Sequence, residues 1–173
     1  MIELEKTYLA KEIPKGLKDC KHKEIIDIYI PKSTEHPHIR IRKNGDRFEM
    51  TKKEPVEVKD TSRQLEQTII LTEEEFNELK KIDGKVVHKI RYQYYYEGKM
   101  GEIDVFQGSL KGLVIVDFEF KTVKEKDSFN MPNFCLVDVT QEKFTAGGML
   151  AGKTYRGIEK ELKKFNYAKL NFD

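Results

Sequence analysis

Charges of both signs recur at every second residue in segments that otherwise read as β-strands. Ile2-Glu3-Leu4-Glu5 opens the chain with two carboxylates two residues apart. His38-Ile39-Arg40-Ile41-Arg42 alternates cations with isoleucines. Lys89-Ile90-Arg91, Glu102-Ile103-Asp104-Val105 and Val116-Asp117-Phe118-Glu119-Phe120 repeat the pattern. Side chains alternate faces along a strand, so each segment has one apolar and one charged face. Carboxylates are sorted onto some strands and Arg or Lys onto others. With the apolar faces turned to flanking helices and loops, the charged faces line one shared interior. The interior set is Glu3, Glu5 and Thr7, then His38, Arg40 and Arg42, then Glu49, Thr51 and Lys53, then Gln64, Glu66 and Thr68. It continues with Lys89, Arg91 and Gln93, then Glu102 and Asp104, then Asp117, Glu119 and Lys121.

A dry interior does not tolerate so many ions, because each uncompensated one costs several kcal/mol even after relaxation. The interior is therefore expected to be wet and to hold ions. Hard cations such as Mg²⁺ or Mn²⁺ take oxygen ligands, and Arg and Lys clusters suit phosphate oxygens. The plainer reading is a sheet with one charged face in solvent. It accounts for a single pair such as Glu102 and Asp104, but not for the same phase on strand after strand.

The length of 173 residues predicts one domain, 1–173, and 38% hydrophobic residues support a modest core. The formal charge of +2 is a near-cancellation of 32 basic and 30 acidic residues, which argues against a uniform field for nucleic acid. Cys20 and Cys135 lack any metal-ligand spacing and read as free thiols of a cytoplasmic protein. No apolar stretch is long enough to span a bilayer, so no membrane partner is expected.

Strands are predicted over 2–9, 25–30, 39–43, 47–53, 64–71, 86–96, 100–106 and 113–121, with a brief edge segment over 134–139. Asn44-Gly45 predicts a type I′ hairpin, and 54–61 reads as a charged connector. Thr72 with Glu75 forms a capping box for a helix whose apolar stripe is Phe76, Leu79 and Ile82. A short helix is expected over 123–129. A C-terminal helix over 155–165 carries Ile158, Leu162 and Phe165. Meandering strands with few helices predict a mainly β (α+β) fold, an eight-stranded closed antiparallel barrel that leaves no edges exposed.

The motifs also resemble a known family. Glu3-Leu4-Glu5 is similar to the ExExK opening of the CYTH superfamily, the triphosphate tunnel metalloenzymes. Arg40-Ile41-Arg42, Met50-Thr51-Lys52-Lys53, Ser62-Arg63-Gln64, the Glu66 strand, Lys89-Ile90-Arg91-Tyr92, Glu102-Ile103-Asp104-Val105-Phe106-Gln107-Gly108 and Asp117-Phe118-Glu119 follow in the family order. The resemblance implies a tunnel that binds a small-molecule triphosphate with Mg²⁺ or Mn²⁺ and hydrolyses it, inorganic tripolyphosphate first. By the same resemblance Glu3, Glu5 and Glu119 are metal carboxylates, with Asp117, Glu102 and Asp104 as further acidic positions. Arg40, Arg42, Lys53, Lys89 and Arg91 are its phosphate-binding cations, and Lys89, Glu66 and Tyr29 its catalytic candidates. A homodimer is compatible with it.

The chain also departs from the family pattern. The lysine of ExExK falls on Thr7, the fifth strand offers Glu66 as its one carboxylate, and a late segment where relatives carry Tyr and Asn reads Thr145-Ala146-Gly147-Gly148. Thiamine triphosphatase, class IV adenylate cyclase and a non-catalytic polyphosphate or nucleotide binder therefore stay open. So does a structural or RNA-binding barrel with lysines outside. Tyr92, Tyr94, Tyr95 and Tyr96 read as strand packing rather than a base platform. Gly147-Gly148 reads as a flexible entry to the last helix rather than a phosphate cradle. His38, alone among the four histidines, shares the inward phase and reads as a rim residue.

Overall fold

The computed structural model describes residues 2–57 and 60–172, with the side chains at 2, 3, 60 and 61 outside that description. The elements run β1 (Ile2–Ala10), β2 (His22–Ile30), β3 (Ile39–Asn44), β4 (Arg47–Glu57), β5 (Asp60–Leu71), α1 (Glu73–Leu79), β6 (Lys85–Tyr96), β7 (Lys99–Phe106), β8 (Val114–Phe120), α2 (Val123–Ser128), β9 (Cys135–Asp138), α3 (Gly147–Leu150) and α4 (Tyr155–Lys163). The strands pair in the order β5-β4-β3-β2-β6-β7-β8-β1-β9, and β5 also pairs with β1. That last pairing closes an eight-stranded antiparallel barrel.

The seam is short. Ile2, Glu3 and Leu4 pair with Leu65, Gln64 and Arg63, and beyond them β9 pairs with Tyr8, Leu9 and Ala10 of β1. The segment expected as a brief edge is thus a ninth strand that continues where β5 leaves off. The stretch 54–61, expected as a connector, extends the β4–β5 hairpin, with Glu54 opposite Leu65 and Glu57 opposite Asp60. Val58 and Lys59 lie outside the described residues. Period-two pairing overrode the Pro55 signal because the register shifts between Pro55 and Glu57, and a bulge accommodates proline.

The β3–β4 hairpin also forms one residue later than expected. Asn44 pairs with Arg47, and Gly45 and Asp46 make the turn. The positive φ of 60° falls on Gly45, as the first central position of a type II′ turn requires. The Thr72 capping box is present, and Phe76 packs on Phe48 with ring centroids 5.0 Å apart. α1 stops at Leu79, so Ile82 falls outside it and is exposed.

Outside the barrel wall, Tyr94 and Tyr96 pack edge-on against Phe134, Tyr92 packs against Phe172, and Tyr95 is exposed. Tyr92, Tyr94 and Tyr96 are therefore packing on the outer face, while Tyr95, on the other phase, stands in solvent. One end of the barrel is apolar. Leu9, Val87, Phe106, Leu113 and Ile115 join Leu150, Ile158 and Leu162 in one buried cluster, so α3 and α4 cover that end. Among the described residues no helix is long and apolar enough to cross a membrane.

Candidate functional site

Period-two alternation delivers its charges to a single cavity of about 370 Å³ inside the barrel. Of the candidate site residues, Glu5, Tyr29, Arg40, Arg42, Lys53, Glu66, Lys89, Arg91, Glu102, Asp104, Asp117 and Glu119 all line it. The backbone of Glu3 pairs with Gln64, and its side chain lies outside the described residues. Of the other expected interior positions, Thr7, His38 and Gln64 line the cavity, whereas Glu49, Thr51, Thr68, Gln93 and Lys121 are not among its walls. Thr51 and Thr68 instead bond to each other at 3.1 Å.

Cations and acids are paired in layers. Arg42 donates to Asp27 through Nε (2.5 Å) and a terminal nitrogen (2.8 Å), with both residues buried. Arg91 grips Asp104 through two nitrogens at 2.7 Å and reaches Glu102 with a third. Lys89 donates to the same Asp104. Burial would raise the Asp27 and Asp104 pKa values, but the Arg42 guanidinium beside Asp27, and the Arg91 guanidinium and Lys89 ammonium beside Asp104, hold both carboxyls well below the usual range. Burial wins at Lys89, whose pKa lies below the ordinary lysine value despite Asp104.

A looser layer lies beside this one. Lys53 Nζ donates to Glu5 at 3.0 Å, and Arg40 stands 3.8 Å from Glu66. The Arg40 guanidinium also bonds the Tyr29 hydroxyl. Tyr29 therefore faces Arg40 from β2, its cross-strand neighbour.

The acidic wall is built by β1 and β8. Glu5 stands directly opposite Glu119, and Thr7 opposite Asp117. Thr7 Oγ1 donates to Asp117 at 2.7 Å. Burial, then Asp104 and Glu5, push the Asp117 carboxyl up to about 7. Like charges directly opposite on neighbouring strands are destabilising. This wall therefore holds carboxylate density that the protein's own cations leave partly unrelieved. Its all-oxygen donor set fits a hard divalent cation. Among the described residues, no three or more Asp, Glu, His or Cys side chains gather closely enough to hold a metal by themselves.

Several wall residues carried no periodic signal. Thr140, Glu142, Lys143, Thr145 and Ala146 come from the segment between β9 and α3. Asp27 was visible as the one acid in Ile25-Ile26-Asp27-Ile28-Tyr29, two residues from Tyr29, and it belongs to the inner face. Gly147 and Gly148 line the cavity at the start of α3, seated too closely to carry side chains. A Cβ at Gly147 would stand 2.0 Å from the Tyr29 hydroxyl, and one at Gly148 would stand 2.6 Å from the Pro37 carbonyl oxygen. The pair of glycines lets α3 seat directly on Tyr29 and on the 36–38 loop.

No protein-family model matches the chain. A curated inorganic triphosphatase from Nitrosomonas europaea is 29% identical over 145 residues, covering 83% of this chain and 92% of that protein. A crystal structure of an inorganic triphosphatase superposes with a TM-score of 0.64 at 24% identity, covering 87% of this chain and 95% of that one. A Bacillus halodurans structure superposes with a TM-score of 0.53 at 13% identity, covering 99% and 93%. The same barrel recurs in these structures. The chain is similar in sequence to an inorganic triphosphatase and has the barrel fold of a solved one.

Proposed function

We propose that the protein hydrolyses a triphosphate, inorganic tripolyphosphate first among the candidates, with the help of a divalent cation. The observation that carries this reading is one enclosed cavity lined on β1 and β8 by Glu5, Asp117 and Glu119, and on β3 and β4 by Arg40 and Lys53. The similarity to a Nitrosomonas europaea inorganic triphosphatase supports it. Phosphoryl transfer needs charge stabilisation and in-line placement more than covalent chemistry, and this cavity offers both signs of charge on a rigid wall.

Glu5 and Glu119, with Asp117 on the same wall, and Glu3 by the family resemblance, are the residues that would hold Mg²⁺ or Mn²⁺. Bound there, the cation supplies charge neutralisation to the phosphate oxygens and acidifies a water. Arg40 and Lys53, in the looser layer, neutralise the phosphate chain. Arg42 and Arg91 are fixed by Asp27 and Asp104, so they present their remaining N–H groups from rigid positions. Lys89, with its pKa pulled down by burial, is the group proposed to pass a proton to the leaving phosphate. Tyr29 orients Arg40, and Glu66 balances it from the other side.

The test is phosphate release from tripolyphosphate, thiamine triphosphate and ATP, each with Mg²⁺ and with Mn²⁺, the ATP reaction being checked for cyclic AMP. Turnover of tripolyphosphate that stops with a chelator is the expected result. Cyclic AMP formation without phosphate release would replace this reading by a cyclase.

A further inference from the structure

One rim of the cavity holds two buried polar atoms that the protein itself does not use. His38 lies two residues before Arg40, and its carbonyl accepts the Lys53 N–H at 3.0 Å, so the β3–β4 ladder continues to it. Its ring therefore shares the inner face with Arg40 and neighbours Lys53 across the ladder. The ring lies against His36 with centroids 4.9 Å apart. His36 is boxed in turn by α3, since a Cβ at Gly148 would stand 2.8 Å from its Cδ2. The His38 imidazole is thus held in place, yet its Nδ1 is buried without a hydrogen-bond partner. Arg40 repeats this arrangement. Other guanidinium nitrogens serve Tyr29 and Glu66, while Nε is buried and unpartnered.

A buried polar atom without a partner is costly, and native structures supply nearly all such groups with one. His38 Nδ1 and Arg40 Nε are neighbours on the inner face of β3, in a cavity that Lys53 and Lys143 also line, and they match an anion rich in acceptor oxygens; Asn44 Oδ1, the other unpartnered atom on that face, lies at the opposite end of the strand.

We propose that His38 is a substrate-binding residue that, with Arg40, takes oxygens of a phosphoryl group of the triphosphate. This rests on the triphosphatase reading and adds to it a contact outside the charged motifs. His38 donates from Nδ1 and Arg40 from Nε, and the ring stack with His36 fixes the angle of approach.

The experiment uses the full chain and two variants, His38→Gln and His38→Phe. Steady-state phosphate release from tripolyphosphate is measured, together with the melting temperature with and without tripolyphosphate in the presence of a chelator. Losing one charge-assisted contact is expected to raise KM about tenfold while kcat stays within about twofold. His38→Phe keeps a ring against His36 and removes the unsatisfied atom. It should melt no earlier than wild type when free, and should lose most of the rise in melting temperature that tripolyphosphate produces. Variants with wild-type KM and a wild-type ligand-induced rise would overturn the His38 assignment alone. A wild-type protein that neither releases phosphate from tripolyphosphate nor is stabilised by it would overturn the triphosphatase reading, and this assignment with it.

Discussion

Asp27 and Arg42 face each other across β2 and β3 with two hydrogen bonds, and both side chains are almost wholly buried. Removing one member of such a pair leaves the other charged and uncompensated. Asp27→Asn is therefore expected to destabilise the protein by about 3–5 kcal/mol. Chemical denaturation at neutral pH checks this. The folded-state pKa of Asp27 lies below its unfolded value, so its contribution is present above the unfolded value near 3.8 and is lost as pH falls below it. Asp104 behaves alike, and the wild-type protein should lose stability steeply on acidification below about pH 4.

Glu5 meets Glu119 across β1 and β8, the pair proposed to hold the cation. Glu5→Gln and Glu119→Gln should each lower metal-dependent phosphate release by at least about a hundredfold, the scale expected for losing a group that stabilises the transition state. They should also abolish any rise in melting temperature on adding Mn²⁺. Wild-type turnover by Glu5→Gln would remove the metal assignment.

The Asp117 carboxyl, pushed up to about 7, makes an opposite prediction about pH. A carboxyl whose folded pKa is raised favours folding while protonated, so its contribution is present at low pH and falls as pH rises toward 7. In the metal-free protein, Asp117→Asn should flatten the decline in stability between about pH 4 and 7 and leave the variant relatively more stable at pH 8. Denaturation midpoints across that range, measured with a chelator, decide it.

Gly147 touches the site through Tyr29. A methyl group there would stand 2.0 Å from the hydroxyl and 3.0 Å from Cζ, so Gly147→Ala must push the ring away and disturb its bond to Arg40. Phosphate release should fall about tenfold or more, a scale set by the loss of orientation. Tyr29→Phe removes the same hydroxyl and should cost a similar factor, so adding Gly147→Ala to it should cost little more. An additive double variant would show that the two positions are not coupled.

Much of this architecture was legible because β-structure has a period of two. Charged residues at that spacing on β1, β3, β6, β7 and β8 had nowhere to go but one face, and their sorting by sign announced a cavity. Asp27 was equally legible, a lone acid among isoleucines, but a single residue has no repeat to amplify it. The 140–148 wall was not legible, because a segment packed by close approach of glycines leaves no pattern along the chain. The extension of the β4–β5 hairpin was hidden by Pro55, whose local preference the bulge absorbs. The difference between a fixed cation such as Arg42 and the looser Arg40 depends on partners from other strands, which spacing within one strand does not contain.

Among the described residues, three residue pairs between β1 and β5 fasten the barrel shut, and Lys53 of β4 reaches over that join to Glu5 of β1. The join and the reaction chamber thus share their stitching. Parting β1 from β5 would separate an acid from a base that a phosphate chain must meet together, so the chamber exists only while the cylinder stays fastened.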